Sequence, residues 1–568
     1  MNLFRFFWIL LAAIIAFNTY LFFDVWDLPS TSWRVSQTAM AVEYMSKGGP
    51  LLAYEMPYFG PPWKMPLEFP LFQWSALFLV KAFNMSVEHA GKVAAFGYLL
   101  LTLIPYGFIL RRLNVRPLFW GLFFSIFLSI PLVMTHSRII LIETSTVFFG
   151  SLFLSSALAY AQDRTRKFLI LTILLGCVAA LSKITTFIGF AIAAVFMLAI
   201  YATDLNSLWK EIKEIIIRKY GLLIAILVYY LVIFFLGTGK IIDDRSLLIA
   251  LLLMALPFFA SATYLLFFRK TSPITRLIVE SSKLCIPPML CMLIWLRFTG
   301  SVWKQTPFLD FFTGFWETIR WNFGFVMQRL DPVILKQLFW ERPTENLFYH
   351  PVIYLGIFLG PLLVKEYRKH FLVSFTLSSL VILIFINLHQ YHYYYTLENS
   401  VFLCAAVGFS LYALITSGKW KAWLGGVLAL AIVGTGNFQI KQLTAEAVAN
   451  FDWKIVSFAK EIENRTDPKD VLFIFGEWAN PGIPYLTHRR SVMDNRKSKL
   501  TDEAVTLTME NLSKSEYRFG ALVICAHELA NTAENAKRME FFQTAAVPAI
   551  DSGACKVYLK KTSVGQRT

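Results

Sequence analysis

Cysteine motifs, internal repeats and low-complexity tracts are missing from this sequence. The six cysteines form no CxxC pair and show no metal-ligand spacing, so we interpret them as apolar packing residues. The amino-acid composition is also unlike that of a soluble protein. Hydrophobic residues make up 57% of the 568 residues and the mean hydropathy is +0.56, whereas soluble domains contain about 45–50% apolar residues. The chain is therefore predicted to be a polytopic membrane protein.

A basic domain is also missing, although lysine and arginine outnumber the acidic residues by 53 to 37. The basic residues fall in short clusters between apolar runs, which argues against a nucleic-acid partner. The clusters occupy alternate loops, as expected for cytoplasmic loops, so the N-terminus is predicted to be cytoplasmic. At about 20 apolar residues per helix, about thirteen spans are predicted. They lie near residues 4–23, 90–110, 118–134, 144–161, 168–182, 185–203, 220–237, 246–268, 279–296, 350–364, 370–387, 397–416 and 421–437.

A cleavable signal peptide is not evident, because the first apolar run, 4–23, is long enough to span and lacks a small-residue cleavage site. It is predicted to be an anchor. Two long polar stretches, 24–74 and 297–349, then lie outside the cytoplasm together with the end of the chain. This divides the sequence into a membrane module, 1–437, and a soluble domain, 438–568.

The predicted soluble domain is charged and begins with a helix-like run at 453–465. Short β-type runs follow at 471–475, 521–525 and 556–559. This alternation is typical of a small α/β domain. Cys525 and Cys555 fall in two of these runs, where a disulfide can form outside the cytoplasm. Two buried thiols are the expected state.

Residues 24–74, here called the first hydrophilic segment, are too polar and too rich in proline and glycine to cross lipid. Amphipathic patches at 33–45 and 67–83 predict helices that lie along the membrane interface. A hairpin rich in proline, glycine and aromatic residues is predicted between them, at 54–66. Glu68 follows among apolar residues, where a carboxylate is costly unless it is used or paired. Glu68 is therefore the first candidate for chemistry.

Charged and aromatic side chains recur at the ends of other predicted helices on the same membrane face. Groups placed in this way would line a common cavity and mark a substrate path. They are His136, Arg138, Glu143, Lys183, Lys240, Arg245, Trp303, Trp316, Trp321, Trp340, His389, His392 and Tyr393.

Several short motifs resemble those of the GT-C fold glycosyltransferases, and more specifically the bacterial branch of the dolichyl-phosphate-mannose protein mannosyltransferase and aminoarabinose transferase group. They are residues 33–39 (WRVSQTA), 66–71 (PLEFPL, similar to the family's Glu-x-Pro), 137–143 (SRIILIE), 181–183 (LSK), 392–395 (HYYY) and 476–481 (GEWANP). The resemblance implies a multi-pass enzyme of the bacterial inner membrane. Such an enzyme moves one sugar from a polyprenyl-phosphate carrier to a glycan, lipid or protein acceptor on the outer face.

The resemblance also implies roles for two carboxylates. Inverting transfer needs a base for the acceptor's proton and cations for the leaving phosphate. Glu68 would be the base or a ligand of a divalent metal ion, and the alternative is an ion pair with Lys64 or Arg34. Glu143 is the second catalytic candidate. Its alternative role is to favour the dipole at the start of a helix.

Three cations are candidates for binding the phosphate. Arg34 and Arg138 suit a two-pronged contact with phosphate oxygens, and the alternative for each is a structural role. Lys183 lies at the junction of two predicted helices. It would either bind phosphate or extend its ammonium group to the membrane interface.

Histidines and tyrosines form the remaining candidate group. His136 and His389 are candidate metal ligands, because imidazole is a common ligand. The alternative is a hydrogen-bonded aromatic belt with the neighbouring tyrosines. His392 and Tyr393 are predicted to bind substrate.

Two positions depart from the family pattern. Members often carry Asp in the first-loop motif as the presumed base, and the nearest position here is Gln37, which cannot take a proton at neutral pH. Gln37 is kept as a substrate-binding candidate. Glu68 is then the first candidate for the base, ahead of the other carboxylates of the segment, which are Asp24, Asp27, Glu43 and Glu55.

The second departure concerns phosphate binding. In the aminoarabinose branch a Lys follows the Glu of Glu-x-Pro, whereas this sequence has Phe69 at that position. The expected phosphate ligand is therefore missing there, and Lys183 and Arg34 become the stronger candidates.

Two other classes of function compete with a glycosyltransferase. A transporter or flippase of lipid-linked sugars predicts ionisable residues within spans and paired repeats, and this sequence shows neither pattern. A non-catalytic polysaccharide-assembly protein that keeps the fold is the other class. Gln37 keeps that alternative open, and carbohydrate binding without transfer would favour it.

Overall fold

The computed structural model describes residues 3–202, 205–218, 272–305, 321–477, 480–493, 502–525 and 546–561. Most of these residues are helical. In chain order the helices are α1 Leu3–Asp24, α2 Trp33–Ser46, α3 Leu71–Phe83, α4 Val87–Leu101, α5 Leu103–Arg112, α6 Pro117–Phe127, α7 Pro131–His136, α8 Glu143–Asp163, α9 Arg166–Ser182, α10 Ile184–Ala202, α11 Leu205–Arg218, α12 Pro273–Trp303, α13 Pro332–Lys336, α14 Pro351–Gly356, α15 Leu359–Leu363, α16 Arg368–Ile384, α17 Ile386–Tyr391, α18 Thr396–Ile415, α19 Lys419–Ala449, α20 Trp453–Arg465, α21 Gly482–Thr487 and α22 Asp502–Ser513.

Seven helices in the described ranges are long and apolar enough to cross a membrane. They are Leu3–Asp24, Val87–Arg112, Glu143–Asp163, Ile184–Tyr201, Pro273–Trp303, Tyr393–Ile415 and Lys419–Ala449. An eighth span would be the pair Pro332–Leu347 and Pro351–Leu363, which bends by 111°. The chain is therefore a multi-pass membrane protein. The predicted spans 220–237 and 246–268 lie outside the described residues, so the total of about thirteen stays a prediction.

Contacts divide the chain into two compact units. The first contains Met1–Leu103, Arg116–Phe148 and Ile294–Thr568, and the second contains Ile104–Val115 and Phe149–Leu293. The described part of the second unit is helical. The first unit contains both the first hydrophilic segment and the C-terminal sheet.

The C-terminal sheet has five strands in the order β2-β1-β3-β5-β4. Their bounds are β1 Asp470–Phe475, β2 Arg490–Met493, β3 Arg518–Cys525, β4 Ala546–Asp551 and β5 Cys555–Lys560. Strand β1 pairs in parallel with β2 and β3, whereas β5 pairs antiparallel with β3 and β4. The predicted helix at 453–465 and the three predicted strands are confirmed, and β2 and β4 were missed.

The two faces of this sheet belong to two different cores, because successive side chains of a strand point to opposite faces. Val471, Phe473 and Phe475 of β1 pack with Leu512 of α22. The alternate residues of the same strand, including Leu472 and Ile474, join a core that contains residues of α2, of the 54–66 hairpin and of 140–142. Both cores include residues of the first hydrophilic segment, because Trp63 of the hairpin joins the core on the opposite face.

The predicted hairpin at 54–66 is present and continues the sheet by one strand. Its arms are held together by Met56 N–H donating to the Trp63 carbonyl at 3.0 Å. Toward the sheet, Ser491 N–H donates to the Pro57 carbonyl at 2.8 Å and Met493 N–H donates to the Tyr58 carbonyl at 3.0 Å. The hairpin thus covers the free edge of β2, which would otherwise present unpaired backbone groups.

Arg490 ties the hairpin to the sheet through charge and ring contacts. Its Nη2 donates to Glu55 Oε2 at 2.6 Å, and both side chains are largely buried. The guanidinium lies over the rings of Tyr44, Trp63 and Tyr517, 4.7–5.4 Å from their centroids. A cation held over aromatic faces gains about 0.5–2 kcal/mol per site, more where water is excluded. The contact therefore joins α2, the hairpin and the C-terminal domain.

A disulfide joins Cys525 of β3 and Cys555 of β5. The expectation of two buried thiols was wrong. The two residues are directly opposite each other in the antiparallel β3 and β5 pair, which brings their side chains together on one face. The sequence alone could not show that pairing, because it depends on the register of two strands 30 residues apart.

Glu43 of α2 and His488 form a second tie between the first hydrophilic segment and the C-terminal domain. His488 Nδ1 lies 2.7 Å from Glu43 Oε1, and Lys47 Nζ lies 2.5 Å from the same oxygen. The hydrogen bond with Glu43 raises the pKa of His488 above its ordinary value of 6.5. Burial of Glu43 acts against its charge, but the bonds from His488 and Lys47 outweigh that effect and lower its pKa below 4.5.

The Glu43–His488 pair predicts a pH-dependent stability. A raised histidine pKa stabilises the fold fully below 6.5 and loses that effect as the pH rises through the folded-state value. A lowered glutamate pKa stabilises the fold above 4.5 and loses its effect as the pH falls through the folded-state value. We expect His488→Gln to lower the apparent Tm most between pH 4.5 and pH 6.5, and progressively less as the pH becomes alkaline.

The measurement is thermal unfolding of the purified protein in detergent across pH. Lys47→Gln is the matched control, because it removes another partner of the same Glu43 oxygen. Glu463 also acts on His488 and is present in both variants. A His488→Gln effect that does not change with pH would contradict the prediction.

Candidate active site

The site is built on the first turn of α2 and on the turn that follows the hairpin. Arg34 Nη1 donates to Gln37 Oε1 at 3.2 Å, three residues further along the helix. Arg34 Nη2 donates to Glu68 Oε1 and forms an ion pair with it. The ion pair that the sequence left open as an alternative role for Glu68 is therefore present, and it is made with Arg34.

The Arg34–Glu68 pair is partly open to its surroundings. The Glu68 side chain is 23% exposed and that of Arg34 is 15% exposed. Burial acts against the charge of Arg34, but Glu68 and Glu143 outweigh it and raise the pKa of Arg34 above its ordinary value. Arg34 is thus a permanent cation, and the carboxylate beside it is accessible.

Aromatic side chains hold the backbone of residues 66–68, which carries Glu68, through hydrogen bonds. The hydroxyl of Tyr54 accepts from Leu67 N–H at 2.8 Å and donates to the Glu68 carbonyl at 3.1 Å. Trp295 and Trp303 donate their indole N–H groups to the carbonyls of Leu67 and Pro66, at 2.9 and 2.8 Å. These bonds fix the turn at 66–68, so the carboxylate of Glu68 is presented from a rigid support.

Gln37 positions other side chains. It accepts from Arg34, and its Nε2 donates to the Tyr58 hydroxyl at 2.5 Å. Gln37 and Tyr58 are both fully buried. Gln37 therefore links Arg34 to the hairpin, and its direct role in substrate binding stays a prediction.

Glu143 is buried at the first residue of α8. The start of a helix favours a carboxylate, as the sequence suggested. Its charge also contributes to the raised pKa of Arg34. Arg34 is therefore surrounded by two carboxylates, of which Glu68 is the accessible one.

A cluster of rings lies beside this pair. His136 makes an edge contact with Tyr393 at 5.3 Å and a tilted contact with Tyr394 at 6.3 Å between ring centroids. His392 lies 5.2 Å from Tyr394. Tyr394 in turn acts electrostatically on Arg34. The predicted residues His136, His392 and Tyr393 are thus brought together near the Arg34–Glu68 pair.

The two histidines proposed as metal ligands are engaged with the protein. His389 Nδ1 donates to the Phe385 carbonyl at 2.9 Å, and its Nε2 accepts from Asn399 at 2.7 Å, which leaves no lone pair for a metal. His136 Nδ1 donates to the Leu132 carbonyl at 2.9 Å, and burial lowers its pKa. In the ranges described, the one group of three metal-ligating side chains is Glu477, Cys525 and Cys555, and its cysteines form the disulfide.

Arg138 and Lys183 are buried in other parts of the chain's helical framework. Arg138 donates to Asn18 of α1 and to Thr444 of α19. Lys183 lies at the break between α9 and α10 and belongs to the second compact unit. Among the predicted residues, Arg34 bonds directly to Gln37 and Glu68, and His136 contacts Tyr393.

Tyr54, Tyr58 and Trp295 were missed as parts of the site, whereas Trp303 was predicted only to line the common cavity. Each uses a hydroxyl or indole N–H to hold the segment that carries Glu68 or Gln37. The aromatic richness of the hairpin was a usable signal for the tyrosines. Nothing in the sequence near Trp295 indicates that it meets residue 67. Of the residues predicted to line the common cavity, Lys240, Arg245 and Trp316 lie outside the described residues.

The first hydrophilic segment, the many apolar helices and the small C-terminal sheet together define a GT-C type membrane fold. No sequence-family model matches the chain, and no curated protein sequence matches it. The crystal structure of ArnT from Cupriavidus metallidurans bound to undecaprenyl phosphate has a similar fold, with a TM-score of 0.55 and 10% identity over 98% of this chain and 99% of that chain. The Archaeoglobus fulgidus oligosaccharyltransferase complex with Zn and sulfate is a looser match, with a TM-score of 0.46 and 12% identity over 97% of this chain and 73% of that chain.

The Gln37–Tyr58 bond gives a stability prediction. Gln37→Leu leaves the buried Tyr58 hydroxyl without its partner, which costs about 1–3 kcal/mol. Adding Tyr58→Phe removes the unsatisfied hydroxyl. We expect the double variant to have a higher apparent Tm in detergent than Gln37→Leu alone, and a Tm loss equal to the sum of the two single losses would contradict this.

Proposed function

We propose that this protein is an integral-membrane glycosyltransferase that moves a sugar from a polyprenyl-phosphate carrier to a glycan, lipid or protein acceptor. The observation that carries the proposal is the accessible Arg34–Glu68 pair, with Glu143 beside it, on a rigid support. The fold shared with ArnT supports it, because that protein was crystallised with undecaprenyl phosphate. The transfer is proposed to invert the sugar.

In this proposal the acceptor's hydroxyl or amine attacks the anomeric carbon of the sugar. The bond from that carbon to the phosphate oxygen breaks, and its electron pair leaves on the phosphate of the carrier lipid. Glu68 takes the acceptor's proton as general base. Arg34 stabilises the charge of the departing phosphate. Glu68 then returns the proton to water.

The contact between Arg34 and Glu68 suits an exchange of partners. A guanidinium offers its N–H groups in a planar fork that fits two phosphate oxygens as well as it fits a carboxylate. When a phosphate takes that position, Oε1 of Glu68 is released from Arg34 and becomes available to the acceptor. Gln37 and the Tyr58 hydroxyl hold the guanidinium in place during the exchange.

Other predicted residues keep supporting roles in the proposal. Tyr393 is 48% exposed and offers a ring face to a sugar, and His392 lies in the same cluster. Lys183 is kept as a second phosphate ligand because it is a buried cation at a break between two helices. Arg138 is kept as a further phosphate-binding candidate, although it bonds to Asn18 and Thr444. A divalent metal at His136 or His389 has no geometric support and stays a sequence prediction.

The test is sugar transfer in membranes that contain the wild type or Glu68→Gln, using a radiolabelled pool of polyprenyl-phosphate sugars. Loss of a general base lowers rates by about 10²–10⁴-fold, so we expect Glu68→Gln to transfer at least about 100-fold more slowly. Asp27→Asn is the matched control. Its carboxylate lies in the same segment and is 87% exposed, so transfer should be unchanged.

The outcomes separate the functions. If the wild type and Glu68→Gln transfer sugar equally at equal abundance, Glu68 is not the general base. Glu143 is then the next candidate. No transfer by the wild type across a broad panel of donors would overturn the proposal in favour of a flippase or a non-catalytic assembly protein.

We also propose the finer topology. The N-terminus lies in the cytoplasm of a bacterial inner membrane, about thirteen helices span it within residues 1–437, and residues 438–568 form an extracytoplasmic domain. Basic clusters in alternate loops support this orientation. The Cys525–Cys555 disulfide supports it as well, because disulfides persist in oxidising compartments.

Alkaline phosphatase fusions test the orientation, since the enzyme folds only outside the cytoplasm. A fusion at the C-terminus of the full chain should be active, whereas a fusion after Asp163, at the predicted cytoplasmic cluster 164–167, should be inactive. The opposite pattern would contradict the proposed topology.

A further inference from the structure

A small cavity of about 20 Å³ lies in the first compact unit, and neither Arg34 nor Glu68 lines it. It is enclosed by α16, α18 and the chain at 338–347. One water molecule needs at least about 10–15 Å³ of such space. The cavity therefore has room for a water molecule or a monatomic ion, but not for a phosphate group.

Arg342, which lines this cavity, is carried by an unusual stretch of helix. The π-helical turns Gln337–Glu341 and Pro343–Leu347 lie on either side of it, and such turns are rare and frequent at functional sites. Nη2 of Arg342 donates to the Gln390 carbonyl at 2.6 Å. Its Nη1 is buried and has no hydrogen-bond partner among the described residues. In native proteins a bound water or ion commonly satisfies such a donor.

The charge of Arg342 is not offset by a carboxylate in the described part of the chain. No described carboxylate acts electrostatically on its guanidinium, and no Asp or Glu is among the described residues of the cavity wall. The adjacent Glu341 pairs with Lys336 instead, at 2.9 Å. A buried charge is costly unless it is paired. Water would satisfy the N–H group and leave the charge unpaired, whereas a small anion satisfies both requirements.

Hydroxyl groups supply further hydrogen-bond donors in the same wall. They belong to Ser378 and Ser379 of α16 and to Thr396 of α18. Within the described ranges, none of these three hydroxyls donates to another group of the protein. Ser400 differs, because its hydroxyl donates to the Leu397 carbonyl at 2.7 Å. A guanidinium and three hydroxyls are all donors, which is what an anion requires of its ligands.

We propose that this cavity binds one small monovalent anion of the size of chloride. Nη1 of Arg342 is its charged ligand, and the hydroxyls of Ser378, Ser379 and Thr396 are its neutral ligands. The anion neutralises the buried guanidinium. Its binding does not depend on whether the protein transfers sugar, so the site is independent of the proposed function.

The anion site supports the segment that leads to the candidate active site. Arg342 holds the Gln390 carbonyl, and Gln390 Oε1 accepts from Gln328 at 2.8 Å. His392 and Tyr393 follow two and three residues later. An anion that keeps the guanidinium in place therefore stabilises the start of the 390–395 segment.

The test is thermal unfolding of the full chain in detergent, with chloride replaced stepwise by gluconate at constant ionic strength. Gluconate is too large for the cavity. We expect the apparent Tm to rise with chloride along the saturation curve of a single site that binds only the folded protein. A Tm that does not depend on chloride would overturn the proposal, and the cavity would then hold water only. A rise that does not saturate would overturn it too, because it would be a general effect of the salt.

Ser379→Asp is the decisive variant, because it adds a fixed negative charge to the cavity wall and leaves Arg342 unchanged. We expect the chloride effect to disappear, and the Tm in gluconate to equal or exceed that of the wild type. Ser379→Asn controls for side-chain size and should keep a chloride effect. Arg342→Gln should raise the dissociation constant for chloride at least about tenfold.

Arg329→Gln is the matched control for the loss of an arginine. Nη2 of Arg329 donates to the carbonyls of Phe323 and Ile384 at 2.7 and 2.8 Å, and Arg329 does not line the cavity. We expect this variant to have a lower Tm and an unchanged chloride effect. A chloride effect that persists unchanged in Ser379→Asp or in Arg342→Gln would overturn the proposal, because the anion would then act elsewhere. If Arg342→Gln does not fold, Ser379→Asp decides the question.

Discussion

The core shared by the first hydrophilic segment and the C-terminal sheet is the constraint on which the candidate site depends. One face of the sheet packs with α2 and the hairpin, and the hairpin in turn completes the edge of β2. Arg490 and His488 add charged contacts to the same junction. The segment contributes apolar residues of α2 and the hairpin to this core, and the sheet supplies a surface against which they pack. Arg34 and Glu68 are positioned as a result.

Two arginines illustrate how charge is distributed around this junction. Arg34 is partly exposed and paired with a carboxylate, so it can exchange that partner for an incoming anion. Arg138 is buried, bonds to neutral groups and retains an unfilled N–H. The two arginines therefore differ both in exposure and in the charge of the groups they bond to.

Periodicity and composition predicted much of the fold. The helices α2 and α3, the hairpin, α20 and three of the five strands follow from local patterns that the structure confirms. The position of α2 and α3 at the membrane interface stays a prediction, and α2 is buried throughout 35–45 instead of having one exposed face. Strand β2 has four residues and β4 contains Pro548, so neither carries a strong strand signal. The shared core could not be predicted, because it depends on contacts between residues that lie more than 400 positions apart.

The candidate site could be predicted only in part, because some of its contacts also join residues that are far apart in the sequence. Arg34, Gln37 and Glu68 lie in one segment, and their residue types suggested their chemistry. The hydrogen bonds from Trp295 and Trp303, and those from Arg138 to Asn18 and Thr444, depend on packing between distant elements. A single sequence does not reveal such contacts.

The tie between Arg490 and Glu55 joins residues separated by 435 positions. A ribosome adds about 5–20 residues per second, so Glu55 is made about 20 to 90 seconds before its partner. During that interval the hairpin has no sheet edge to complete, and α2 lacks the part of its core that the sheet supplies. An early part of the chain therefore reaches its final structure late, because the contacts of the candidate site depend on residues synthesised hundreds of positions further on.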